Sequence, residues 1–335
     1  MQLLRKLLFP ISLLYGIVIY MRNYLYDSGF FKSQSFKTLT ICVGNLSVGG
    51  TGKTPMIEYL INILQNDFKI AVLSRGYRRK SKGFQLADDQ STVEKLGDEP
   101  FQIYKKFDKI DLAVDSNRCN GILNLENSIK PDLILLDDAF QHRKVKPSFN
   151  ILLTAYDNLF VKDVFLPTGT LRDAKNQAKR SNVIIVTKCP NSLPKDEQNK
   201  IIKQLNLEKT ILFSSFEYAK VLRSKTEELS FEDLKIKQVS LVTGIANPKP
   251  LVKYLEFIGV VFKHFEFGDH HFFSKKEISK FKDNDYIITT EKDFMRLEGK
   301  VENLFYLEVR HRFLNGGDLF LKSELEKVIK LNPQS

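Results

Sequence analysis

The stretch TLTICVGNLSVGGTGKTPMIEYL, residues 38–60, constrains this chain more than any other. An apolar run ends in a glycine-rich turn, the turn closes on Gly52-Lys53-Thr54, and a helical pattern begins at once. Gly49, Gly50 and Gly52 let the backbone curl without Cβ clashes, so its N–H groups can surround phosphate oxygens. Lys53 places a cation among the terminal phosphates of a nucleotide, and Thr54 offers a hydroxyl to Mg²⁺. Pro55 suits the first turn of the helix, whose positive end favours the same anion. The regular pattern has glycine where this chain has Ser47, but a small residue suffices at that bend. Ser47, Val48, Gly49, Gly50, Thr51, Gly52, Lys53 and Thr54 therefore read as a nucleotide cradle, in the strand-then-helix context the motif requires.

Short apolar runs then alternate with amphipathic segments. TLTICVGN, KIAVLSRGY, IDLAVD, PDLILLDDAF and FNILLTAY read as buried strands, and Ile57, Leu60, Ile61 and Leu64 recur at helical spacing. Such alternation implies a mostly parallel sheet covered on both faces, with ligands beyond the carboxyl ends of its strands. The segment DNLFVKDVFLPTGTLRDAKNQAKR breaks the rhythm, and NVIIVTK, TILFSSF, VSLVTGIANP, DYIITTEKD and NLFYLEVR form a second series. The expected class is α/β, with two α/β/α sandwich domains and a P-loop NTPase-type sheet in the first. The expected divisions are an apolar membrane-associating helix at 1–30, a nucleotide-binding domain at 31–155, a connection at 156–180 and a second domain at 181–335. The last helical piece, DLFLKSELEKVIKL, suits either domain.

A P-loop site also needs acid at a strand end to hold Mg²⁺ or its water. Asp137 and Asp138 in DLILLDDAFQHR supply it; the alternative is a helix N-cap pair. Guanine specificity is not expected, because Phe140 stands where D-x-x-G needs glycine and TKCP at 187–190 lacks the aspartate of N-K-x-D. Cys42, Cys119 and Cys189 form no C-x-x-C, which argues against a disulfide framework or zinc site and suits a reducing compartment. A net charge of +11 favours anionic partners. Nucleic acid is the weakest of these, since no strip of aromatics lies among the basic residues.

The N-terminus is uncharged from Leu7 to Met21, between Arg5-Lys6 and Arg22. As a helix this stretch reaches about 22 Å, against a hydrocarbon core of about 30 Å. No small-residue cleavage site follows it. Its basic flanks with Tyr15, Tyr20, Tyr24 and Tyr26 suit a helix lying in a membrane interface. The alternative is a buried first helix kinked at Pro10.

GNLSVGGTGKTP, LSRGYRR, GDEP, LDDAFQHR, LPTGTLRD, GDHHFF and TTEKD, in this order across most of the chain, resemble the tetraacyldisaccharide 4′-kinases, the lipid A kinases of Gram-negative bacteria. Serine or threonine at the position of Ser47 is usual in that family. The resemblance implies ATP- and Mg²⁺-dependent phosphorylation of the 4′-hydroxyl of a tetraacylated glucosamine disaccharide 1-phosphate, giving lipid IVA. It implies a cleft site between two α/β/α domains, a membrane-embedded substrate, and residence at the cytoplasmic face of the inner membrane.

Besides Lys53, the catalytic candidates are Asp98 and His270. Asp98 reads as lying in a Gly-Asp-Glu-Pro turn, free of helical hydrogen bonding, as a base should be; a turn-forming aspartate is the alternative. The resemblance pairs it with the histidine of the DH motif, His270, although from the residues alone His270 and His271 both read as loop histidines beside Asp269. Arg75 follows a strand of the glycine-loop sheet and is a phosphate candidate, or part of a solvated basic loop. Arg118 and Arg172 match family arginines in or near the active site and are candidates to neutralise the transferred group or the sugar's 1-phosphate. LPTGTLRD reads as an inter-domain hinge, and TTEKD is given no role. The competing reading is a soluble P-loop ATPase switch or chaperone without a lipid substrate, indifferent to Asp98→Ala.

Overall fold

The structure is a computed structural model that describes residues 7–235 and 237–331. Among the described residues the strands form two sheets. The larger runs β15 (Val309–Phe313), β8 (Thr210–Tyr218), β7 (Val183–Thr187), β6 (Phe149–Ala155), β1 (Leu39–Asn45), β5 (Leu133–Asp137), β2 (Ile70–Ser74), β4 (Ile110–Val114) and β3 (Gln85–Leu86). Its seven inner strands are parallel, and β15 and β3 close the edges antiparallel. The smaller sheet runs β10 (Glu228–Ser230), β9 (Val221–Arg223), β14 (Leu304–Leu307), β13 (Tyr286–Thr290), β11 (Val239–Thr243) and β12 (Lys263–Glu266).

The helices are α1 (Phe9–Asp27), α2 (Lys53–Leu64), α3 (Val93–Leu96), α4 (Asp98–Lys106), α5 (Arg118–Ser128), α6 (Lys195–Leu205), α7 (Lys249–Phe257), α8 (Lys275–Ile278), α9 (Glu291–Leu297) and α10 (Gly317–Leu331). Strand β1 is buried along its whole length, with Ile41 and Val43 in one core and Cys42 in the other. This is why parallel strands read as unbroken apolar runs. Met56, Ile57, Leu60 and Ile61 of α2 share the first of these cores with Leu321 and Leu325, so α10 packs on the larger sheet.

The α/β class holds, but the boundary at 156–180 does not coincide with the break between sheets. Strands β7 and β8 continue the larger sheet through parallel pairing with β6. The chain crosses to the smaller sheet after Tyr218 and returns at Glu308, where Ala219 N donates to Glu308 O (3.0 Å) and Val309 pairs with Tyr218. Apolar strands covered on both faces look alike in sequence, so the pattern does not reveal which sheet each one joins.

The LPTGTLRD segment is not an inter-domain hinge. It lies inside the first unit, the one built on the larger sheet, with Ser47 bridged to Leu171, Val48 N donating to Thr170 O (2.7 Å) and Arg172 N donating to Leu46 O (2.9 Å). Helix α1 packs on this segment through a narrow stripe of Ser12, Gly16, Ile19 and Asn23. Ser12 Oγ donates to Thr168 Oγ1 (2.8 Å) and Asn23 Nδ2 donates to Asp173 Oδ1 (2.8 Å). A Cβ on Gly16 would lie 2.8 Å from the Phe165 ring, so glycine permits the close approach.

Pro10 sits in the first turn of α1 and kinks nothing. Arg5 and Lys6 lie outside the described residues. No helix among the described residues is long and apolar enough to cross a membrane.

Candidate active site

Strand β1 runs straight into the glycine loop, and α2 leaves it at Lys53. Gly49 (φ +115°) and Gly52 (φ +88°) hold backbone conformations that side-chain-bearing residues rarely adopt. The loop carbonyls are tied back: Thr187 Oγ1 donates to Thr51 O (2.8 Å), and His311 Nε2 lies 3.0 Å from Gly52 O. Asn45 Nδ2 donates to Thr51 Oγ1 (2.8 Å). The N–H groups of Val48 and Thr51 are engaged by Thr170 O and Gly49 O, whereas those of Gly50 and Gly52 make no hydrogen bond among the described residues. A cavity of about 180 Å³ adjoins the loop on its β6–β7 side, lined by Ser47–Thr51, Asp157, Asn158, Lys188 and Asn247 among others.

On the other side of β1 stand the two aspartates. Asp137 Oδ2 accepts from Ser74 Oγ (2.9 Å), while its buried Oδ1 has no hydrogen-bond partner among the described residues. Burial, then the charges of Glu99 and Asp138, push the Asp137 carboxyl up to about 6. A buried, unsatisfied carboxylate oxygen beside the helix turn that carries Thr54 fits a divalent cation, and Asp137, Asp138 and Thr54 are oxygen donors of the kind Mg²⁺ takes.

Asp138, in the left-handed region (φ +49°), is held differently. Arg172 grips it with both terminal nitrogens and also bonds Asn45 Oδ1, and Lys53 Nζ stands 3.8 Å from its Oδ1. Burial opposes ionisation there, but Lys53 and Arg172 outweigh it and keep Asp138 well below the usual carboxylate range.

Of the arginines read from sequence, Arg172 thus enters the site by clamping Asp138. Arg118 is buried behind the acid pair, donating to Asp115 O (2.9 Å) and Asp137 O (3.3 Å). Arg75 is exposed at the end of β2 and makes no ion pair among the described residues.

Asp98 is the first residue of α4 rather than part of a bare turn, entered through Gly97 (φ +93°). Its Oδ2 lies 2.6 Å from His270 Nδ1 and also accepts from Arg296. His270 reaches it from the loop after β12, in the left-handed region (φ +61°), with its N–H on Gly244 O (3.1 Å). Lys292 Nζ lies 3.1 Å from His270 Nε2 and donates to Glu99 Oε1 (3.2 Å), while the exposed Tyr77 ring meets the imidazole edge-on.

Burial of Asp98 opposes its ionisation, but the hydrogen bonds from His270 and Arg296 prevail and hold the carboxyl well below the usual range. His271 points elsewhere, stacked on Phe267 with Nε2 3.1 Å from Glu277, so geometry separates two histidines that sequence left side by side.

Sequence reading missed Asn45, Thr187, Lys292, Arg296 and His311. The spacing of Lys292 and Arg296, one helical turn apart after TTE, was a usable signal. Nothing local marks His311 or Thr187, which reach the loop from β15 and the end of β7.

Residues 4–330 match the family described as tetraacyldisaccharide-1-P 4′-kinase. The tetraacyldisaccharide 4′-kinase of Flavobacterium johnsoniae is 47% identical over 336 residues, covering 98% of this chain and 98% of that protein. That of Bacteroides thetaiotaomicron is 45% identical over 316 residues, covering 88% and 83%. The crystal structure of LpxK from Aquifex aeolicus in complex with ATP superposes with a TM-score of 0.81 at 31% identity, covering 97% of this chain and 99% of that one. Near-complete alignment at such identity leaves no room for a chance resemblance of motifs: the chain belongs to the tetraacyldisaccharide-1-P 4′-kinase family.

Proposed function

We propose that this chain transfers the γ-phosphoryl group of ATP to the 4′-hydroxyl of a tetraacylated glucosamine disaccharide 1-phosphate, giving lipid IVA and ADP. The observation that carries this reading is the Asp98–His270 contact of 2.6 Å, an acceptor for a hydroxyl proton assembled from two sheet units and served by a phosphate-binding loop. Gly50, Gly52, Lys53 and Thr54 cradle the phosphates, and the nucleoside lies toward the cavity beside Asn158 and Lys188. Thr54, Asp137 and Asp138 would hold Mg²⁺, which would supply charge neutralisation on the phosphoryl oxygens.

Asp98 takes the proton of the 4′-hydroxyl as the oxygen forms its bond to phosphorus and the bond to ADP breaks. Lys53 and Arg172 bear on the charge that develops. The acyl chains stay in the bilayer, against which the apolar outer face of α1 rests on the side where ATP is found.

The test is transfer of label from ATP into detergent-dispersed disaccharide 1-phosphate. Lys53→Ala and Asp98→Ala are each expected to lower kcat by about 10²- to 10⁴-fold. Transfer undiminished by either change removes the assignment, and label released only as free phosphate favours an ATPase.

A further inference from the structure

Two cations on one face of α9 converge on the Asp98–His270 pair, and no motif of the glycine loop requires them. Arg296 has a fully buried side chain. Its Nη1 donates to Asp293 Oδ1 (2.9 Å) and lies 3.4 Å from His271 O, and its Nη2 donates to Asp98 Oδ2. Asp293 is fixed in turn by Gly244 N (2.8 Å) and Thr290 Oγ1 (2.8 Å), so the guanidinium is anchored at both ends. Lys292, one turn earlier, meets His270 Nε2 at 3.1 Å.

We propose that Arg296 and Lys292 are positioning residues for phosphoryl transfer: Arg296 keeps the Asp98 carboxylate ionised and oriented, and Lys292 fixes the tautomer of His270. The proposal rests on the reading of Asp98 as the acceptor of the hydroxyl proton.

The tautomer follows from the partners. An ammonium only donates, so His270 Nε2 must present its lone pair to Lys292, which leaves the proton on Nδ1. Nδ1–H then donates to Asp98 Oδ2 at 2.6 Å. Arg296 Nη2 stands 3.4 Å from Nδ1 because both donors share Oδ2. With Oδ2 doubly engaged, Oδ1 is left for the incoming hydroxyl.

The groups facing the pair are Glu99 and Tyr77 from the first unit and Asp269, Asp293, Lys292 and Arg296 from the second. Arg296 is the cation in direct contact with Asp98. Without it, the contact with His270 would be left to oppose burial of the carboxyl, so the pKa of Asp98 would rise. Since Asp98 stands on α4 and both cations on α9, the base is complete only when the two sheet units are apposed.

The experiment is the pH dependence of lipid phosphorylation by the full chain. Asp98 must be ionised to accept a proton, and removal of its cation raises its pKa, so Arg296→Gln should lose kcat as pH falls through a range where the wild type is flat. Arg296→Lys keeps the charge and should return the acid limb toward wild type with part of kcat. Lys292→Met should change the ring-nitrogen NMR signals of His270 from a protonated Nδ1 with bare Nε2 to a mixture, with kcat lowered about tenfold or more.

An acid limb that does not differ between wild type, Arg296→Gln and Arg296→Lys overturns the Arg296 half, because a packing role lowers kcat at every pH alike. If Arg296→Gln does not fold, the Lys292→Met spectra decide, and spectra identical to wild type overturn the proposal. Asp98→Asn separates the premise: full transfer by that variant refutes the base, whereas its loss with unmoved profiles for the α9 variants refutes only this inference.

Discussion

His311 shows how much a single buried group can contribute without touching a substrate. Its Nε2–H donates to the Gly52 carbonyl, and in the neutral ring Nδ1 accepts from Ser214 Oγ at 3.0 Å. Burial pushes the imidazole down to about 4. An unfolded histidine titrates near 6.5, so between these values the unfolded chain binds the extra proton. Stability from this group is therefore intact above about pH 6.5 and lost as pH falls toward 4, by up to about 3 kcal/mol.

His311→Gln should flatten that part of the stability profile in denaturant unfolding at stepped pH, while His142, also pushed down to about 4, leaves a residual slope. Glutamine keeps a donor for Gly52, so ATP affinity should persist, whereas His311→Leu should weaken it. Equal affinities for the two variants would show that the bond to Gly52 does not shape the loop. At this scale Lys53, Thr54, Asp98, Asp137 and Asp138 were legible as candidates, because the motifs that carry them are contiguous in sequence. Their supports were not, because they approach across the fold.

Helices α4 and α9 face each other with charged residues along the joint: Asp98 with Arg296, Glu99 with Lys292, Lys106 with Glu291. Lys106 Nζ also bonds Glu58 of α2 (2.6 Å) and Glu308 at the return crossing (2.6 Å). Burial, then the Glu58 charge, pushes the Glu291 carboxyl up, to about 8, so this cluster holds a proton at neutral pH. Lys106→Met would strand the acids and should destabilise by about 3–5 kcal/mol, whereas Glu291→Gln mimics the protonated acid and should cost under about 1.5 kcal/mol. Urea unfolding of both variants checks this, and equal losses would contradict it. The sequence showed each of these helices or its flanking motif, but not that they meet.

Across the whole molecule, α1 inverts the usual arrangement. Its small and polar stripe faces the protein, while Leu14, Ile17, Val18 and Met21 are more than half exposed. A helix built this way suits an apolar surroundings on its outer side. Leu14→Glu with Ile17→Lys should reduce co-sedimentation with anionic vesicles by tenfold or more, from about 1.5 kcal/mol or more per apolar side chain withdrawn from lipid. Transfer to detergent-dispersed substrate should stay near wild type; unchanged vesicle binding would exclude α1 as the contact. Because α1 holds the 166–173 segment, and that segment holds Val48 and Leu46, one loop separates the apolar face from the glycine loop.

The amino-acid sequence by itself determined the α/β class, the glycine loop and the acidic strand end, because each is written in a local run where spacing and residue type act over a few positions. Tertiary structure alone decided which sheet β7, β8 and β15 join, that His270 rather than His271 meets Asp98, and that α9 supplies the cations around that pair. Those outcomes depend on contacts between residues far apart in the chain, where free energy is set by burial and charge in three dimensions and leaves no periodic trace along the backbone.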